Sequence, residues 1–124
     1  MQLTVDRYGP LTILRLVGRM DMSTCTAITP QLERELQDVQ ALAVDMSRVE
    51  FMSSAGLRFL LLLQRRLRAQ GVGEWGIMGV PEPIADTLRV TGFADLLRYS
   101  ELTEAQIRDR IDAGDRPFVP REEE

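Results

Sequence analysis

Residues 2–7 set Leu3 and Val5 between polar neighbours, an alternation that predicts a half-buried strand. Tyr8-Gly9-Pro10 marks a turn. Residues 11–17 are apolar on both faces, at Ile13, Leu14, Leu16 and Val17, and predict a second, buried strand closed by Gly18. A connection of about four residues would join the two as a hairpin. Ile28, Leu32, Leu36 and Val39 then recur at helical spacing. Two starts suit that helix: Ser23 or Thr24 as an early cap with Pro30 inside, or Thr29 as the cap with Pro30 in the first position.

Residues 41–46 form a short apolar run, read as a buried strand with Asp45 at its carboxyl end, and residues 47–52 read as a loop. Residues 54–70 carry the strongest helical pattern, ended by Gly71 as a left-handed cap. A strand over 75–80, a helix over 84–90 stopped by Gly92, and a last short strand over 96–99 follow. Thr103 and Gln106 have capping-box spacing ahead of a final helix holding Ile107 and Ile111. Strands and helices alternate without an internal repeat. The expected fold is therefore one α/β domain over residues 1–113, a mixed and mainly parallel sheet of four to five strands with about four helices. Residues 114–124, four acids and two arginines among them, read as an acidic, solvated tail.

The chain of 124 residues has no His, no Lys and no Asn, and all fifteen basic residues are Arg. The usual base of a Ser or Cys hydrolase, the commonest zinc ligand and any Schiff-base or phosphate-loop lysine are thus missing. No Gly-x-Ser-x-Gly elbow is present either. The expectation is a protein that is not an enzyme and needs no cofactor or metal. A net charge of −4 argues against direct nucleic-acid binding. The single cysteine, Cys25, reads as a small buried hydrophobe. The longest apolar stretch, residues 59–63, is too short for a membrane span, and the first ten residues hold no apolar run suited to a signal peptide, so a cytoplasmic domain is expected.

The strongest helix adds a functional signal. At about 100° per residue, Gly56, Phe59, Leu60, Leu63 and Leu67 share one face, and Ser54, Arg58, Leu61, Leu62 and Arg65 the other. Two leucines beside a serine and two arginines are what a protein-binding face offers. The helix has four arginines and no acid, which suits an acidic partner or the helix's own carboxyl-terminal dipole. Ser54 is placed to cap the helix start, where free N–H groups and partial positive charge gather. A phosphate there would turn a neutral contact surface anionic.

The stretch VDMSRVEFMSSAGLRFLLLLQRRLRAQG, residues 44–71, resembles the signature of STAS domains, specifically bacterial anti-sigma-factor antagonists. Leu16-Val17-Gly18-Arg19-Met20-Asp21 resembles that family's Gly-x-Leu/Ile-Asp element, and residues 83–98 its short helix, Gly and last strand. The likeness spans residues 3–112. It implies a partner-switching regulator that binds an anti-sigma factor, often a GHKL-type serine kinase, and so frees a sigma factor. Phosphorylation at the start of the second helix would release the partner, and a PP2C-type phosphatase would reset the cycle. By position the phosphoacceptor falls on Ser54, with Ser53 as second choice, because the family's Asp-Ser pair is Ser53-Ser54 here. Asp21 matches the family's loop acid near that serine. Asp21, Ser53, Ser54, Arg58, Leu61, Leu62 and Arg65 are the expected partner-binding residues, on a monomer or weak dimer. The alternative implied is a non-phosphorylated STAS scaffold or ligand module inside a larger signalling or transporter complex.

Overall fold

In the computed structural model, which describes residues 1–118, strands β1 (Gln2–Tyr8), β2 (Leu11–Met20), β3 (Ala41–Met52) and β4 (Glu74–Met78) lie side by side in that order. β1 runs antiparallel to β2, while β2, β3 and β4 are mutually parallel. Helices α1 (Met22–Glu35), α2 (Ser54–Ala69), α3 (Glu82–Thr91) and α4 (Glu104–Asp112) complete the domain, with one 3-10 turn at Phe93–Leu96. This is the mixed, mainly parallel α/β sheet that the alternation of patterns predicts.

Parallel neighbours require a crossover, and α1 and α2 supply two of them. The larger core lies under these helices: Leu14, Leu16, Leu42 and Val44 from the sheet meet Ile28, Leu32, Leu60 and Leu67, all buried. Each fully buried aliphatic side chain contributes roughly 1.5–3 kcal/mol. The other face of the sheet exposes Leu11, Ile13, Ala41, Ala43 and Met78 to Ile107 of α4. Trp75 belongs to the first core, 4 % exposed.

Several boundaries depart from the pattern reading. Tyr8 pairs with Leu11, so the hairpin loop is Gly9-Pro10 alone, with Gly9 in the left-handed region. β2 continues past Gly18 to Met20 because register shifts at Arg15/Val17 and Gly18/Arg19 absorb its irregular backbone. The expected loop at 47–52 is the second half of β3, pairing Arg48, Val49, Phe51 and Met52 with the end of β2. Asp45 therefore sits mid-strand, not at a strand end. Asp21 caps α1, ahead of either expected start, and Pro30 lies inside the helix. The last strand reduces to a single bridge, Tyr99 to Ile77, on the outer edge of β4. The tail reading gives way at residues 117 and 118: Pro117 is buried, and the Phe118 ring lies over Gly76, where a Cβ would come within 2.9 Å of it. The remainder of the expected tail, residues 119–124, lies outside the described residues.

Candidate functional site

The carboxyl end of β2, the carboxyl end of β3 and the amino end of α2 meet at one corner. Met20 and Met52 pair across the strands, and the Ser53 N–H donates to the Met20 carbonyl at 2.9 Å. Gly56 explains how α2 comes so close. A Cβ there would stand 2.6 Å from Met52 Cγ and 2.9 Å from Met20 Cβ, contacts that no side chain tolerates without a shift. Glycine at the third helical residue is thus a packing requirement of this corner.

The two serines have different work. Ser53, not Ser54, is the N-cap: its Oγ accepts from Ala55 N at 3.1 Å and Gly56 N at 3.4 Å and lies 3.2 Å from the Met20 carbonyl, to which it donates. Ser54 is the first helical residue, is exposed, and makes no side-chain hydrogen bond among the described residues. The expectation that Ser54 caps the helix is corrected, because the chain turns into the helix one residue earlier.

Asp21 directly follows Met20 and so stands beside the same corner. Its Oδ1 accepts from Thr24 N at 3.0 Å and from the Ser23 hydroxyl at 3.0 Å, and Thr24 returns the contact to the Asp21 N–H. The hydrogen bond from Thr24 N, then that from Ser23, holds the carboxyl below its usual range. Asp21 is an anion here, turned onto its own helix.

Along α2 the buried stripe is Gly56, Leu57, Leu60, Leu63, Gln64 and Leu67. Arg58, Leu62 and Arg65 are exposed, Leu62 at 49 %. Leu61 departs from the expected grouping: it is half-buried and packs on the core. Phe59, expected on the buried face, is also only half-buried. Arg58 and Arg65 form no ion pair among the described residues. Periodicity missed Met22, 73 % exposed at the start of α1, and Phe51, whose ring lies under the Arg19 guanidinium at 4.2 Å. Their signal is a large apolar residue within two positions of a helix cap, Met22 after Asp21 and Phe51 before Ser53, visible in sequence only once the caps are known. Asp45 is drawn away from the corner. It pairs with Arg15 at 2.8 Å and accepts from Ser47 N at 2.9 Å. Cys25 is buried, and burial pushes its thiol up.

Among the described residues, no group of three or more Cys, Asp or Glu is arranged to hold a metal ion, and no helix is long and apolar enough to cross a membrane. What the corner offers is the exposed hydroxyl of Ser54, with exposed Arg58 one turn further along α2.

The STAS domain family model matches residues 2–112. A Bordetella bronchiseptica protein named as anti-sigma factor antagonist BtrV is 26 % identical over 106 residues, covering 85 % of this chain and 90 % of that one. The anti-sigma F factor antagonist of Paenibacillus polymyxa is 23 % identical over 114 residues, covering 86 % and 97 %. Among solved structures, SpoIIAA in its unphosphorylated form superposes with a TM-score of 0.71 at 18 % identity, covering 90 % of this chain and 97 % of that one. An anti-sigma factor antagonist from Mycobacterium paratuberculosis gives a TM-score of 0.72 at 22 % identity, covering 90 % and 92 %.

Proposed function

Because this chain belongs to the STAS domain family, we propose that it is a cytoplasmic anti-sigma-factor antagonist switched at Ser54. Unmodified, it binds an anti-sigma factor that is itself a GHKL-type serine kinase, through the corner formed by Asp21, Ser53, Ser54 and the exposed face of α2, and so frees a sigma factor. The kinase ends the complex by transferring the γ-phosphoryl group of ATP. A bond forms between Ser54 Oγ and phosphorus, the bond to ADP breaks, and the serine proton leaves to a base on the kinase. A PP2C-type phosphatase hydrolyses the ester. The protein itself carries no catalytic step.

The observation that carries this reading is the division of labour between the two serines. Phosphorylating Ser53 would remove the hydroxyl proton that it donates to the Met20 carbonyl and set a phosphate against that carbonyl oxygen. Ser54 gives up nothing on modification, because its hydroxyl is exposed and unengaged among the described residues. Its phosphate would lie beside the free N–H groups of the first turn, which favour negative charge. The added charge of about −1.5 to −2 would have to be desolvated in any interface that covers the corner, which disfavours the complex. The named functions of the Bordetella and Paenibacillus relatives support the same assignment.

The test is calorimetric titration of Ser54→Ala and Ser54→Asp into a purified anti-sigma factor kinase from the same organism. Ser54→Ala should bind like the unmodified protein and Ser54→Asp should lose at least about tenfold in affinity, the equivalent of about 1.4 kcal/mol. Equal binding by both variants would refute the switch.

A further inference from the structure

We infer that the cleft between α1 and α2 seats an amphipathic helix of the partner, its apolar side in the cleft and a row of acidic side chains against α2. The inference rests on the reading of the corner as a partner-binding switch and names the chemistry of what binds there. The cleft has two contiguous halves, of about 290 and 170 Å³, that share Thr29, Phe59 and Leu62. Cys25 and Leu32 deepen its floor, and Met22 and Leu62 project from opposite rims. A channel running between two packed helices accepts the i, i+4, i+7 side chains of a third.

Charge fixes the kind of helix. The α1 rim carries no charged residue from Met22 to Leu32. On α2, Arg58 lines the cleft, and Arg65, one heptad further on, is exposed outside its lining; neither is in an ion pair among the described residues. The far end is closed by the Arg66–Glu33 pair at 3.1 Å, so those charges are already matched. Asp21, at the near end, is turned onto Thr24 and Ser23. Arg58 and Arg65 stand seven residues apart, about 10 Å along the axis. A helix lying beside α2 meets both with acids one heptad apart, as flanking charges do in a coiled coil. A second copy of this chain is a poor fit, since α2 against α2 sets these arginines against each other.

The same geometry gives the phosphate a direct action on the partner. Ser54 precedes Arg58 by four residues, so a phosphoserine reaches Arg58 on the same helix face. It would take that guanidinium from the partner's acid and repel the acid as well. An acidic ligand is therefore the kind that this modification expels best.

The experiment uses the full chain, labelled with ¹⁵N, and two synthetic peptides of about 18 residues stapled as helices on their polar side. Both carry Leu at i, i+4, i+7 and i+11; one has Glu and the other Lys at two flanking positions one heptad apart. The Glu peptide should shift amide signals of α1 and α2, and should bind at least about tenfold more weakly to Arg58→Glu/Arg65→Glu, while the Lys peptide gains affinity for that variant. Ser54→Asp should weaken the Glu peptide as well. Arg58→Gln/Arg65→Gln, which keeps the side chains' reach without reversing charge, should give an intermediate loss and serves if the reversed variant misfolds. Equal binding of the two peptides, shifts outside the cleft, or self-association through the cleft seen by ultracentrifugation would each overturn the inference. If the Glu peptide binds as stated but Ser54→Ala and Ser54→Asp do not differ towards the anti-sigma factor, the cleft assignment stands and the switch falls. The reverse pattern leaves the switch standing and removes the cleft.

Discussion

The two faces of the sheet differ in how fully their arginines are paired. Under α4, Arg15 of β2 pairs with Asp6, Asp45 and Glu104, Arg108 pairs with Glu104 at 2.7 Å, and its guanidinium lies 4.6 Å from the centre of the Tyr8 ring. Arg116 closes the far edge onto Glu74. On the other face, Arg58 and Arg65 stand exposed on α2 in no ion pair among the described residues, Arg58 sharing a cleft with exposed Leu62 and Met22. The first arrangement docks α4 and the segment after it onto the second core. The second adds nothing to the fold and is available to another molecule. On the proposed reading, partner binding falls where the chain leaves its own charges unmatched beside apolar surface.

The most damaging change should be at the point where that open face is anchored. Gly56→Ala sets a Cβ against Met52 and the Met20 backbone and should cost about 1–3 kcal/mol, lowering the denaturant midpoint and weakening partner binding together. An unchanged midpoint would mean that the corner is not tightly built. Next comes the contrast itself. Arg15→Met leaves Asp6, Asp45 and Glu104 without their shared partner and should cost about 1–3 kcal/mol, less than for a fully buried pair because the site is partly exposed. Arg58→Glu/Arg65→Glu should change stability by no more than about 0.5 kcal/mol. Equal losses in urea unfolding would erase the distinction between the faces.

The smallest effect concerns pH. Hydrogen bonding to Arg15 first, and then to Arg108, holds the Glu104 carboxyl below its ordinary range. A carboxylate depressed in the folded state stabilises the fold above its unfolded value of about 4.3, and that contribution is lost as pH falls through the lower folded value. Stability should decline below about pH 4.3, and Glu104→Gln should flatten that decline. A variant with the same acid profile as the original chain would place the sensitivity elsewhere.

Much of this architecture was legible in the order of residues. Leu60, Leu63 and Leu67 at helical spacing define the buried side of α2, and the Thr103–Gln106 box marks the start of α4. The capping box works as a signal because both of its hydrogen bonds are local. The carboxyl half of β3 was not legible: Arg48 and Glu50 read as loop, and only pairing with a bulged β2 makes them strand. The corner shows the same limit. Ser53 and Ser54 are indistinguishable by residue type, and the Met20 carbonyl, 33 positions away, decides which of them caps. Leu61 was assigned to the free face by periodicity, yet neighbouring elements cover it. Leu62, Arg58 and Arg65 are exposed, as the periodicity predicts, because no neighbouring element covers them.

The most direct test of the switch is where the phosphate goes. Protein isolated from its native cells, or incubated with its anti-sigma factor kinase and ATP, can be digested and its phosphopeptide sequenced by mass spectrometry. The account predicts one phosphate, on Ser54. Phosphate on Ser53, whose hydroxyl proton is engaged by the Met20 carbonyl, or no phosphate in the presence of an active kinase, would contradict it.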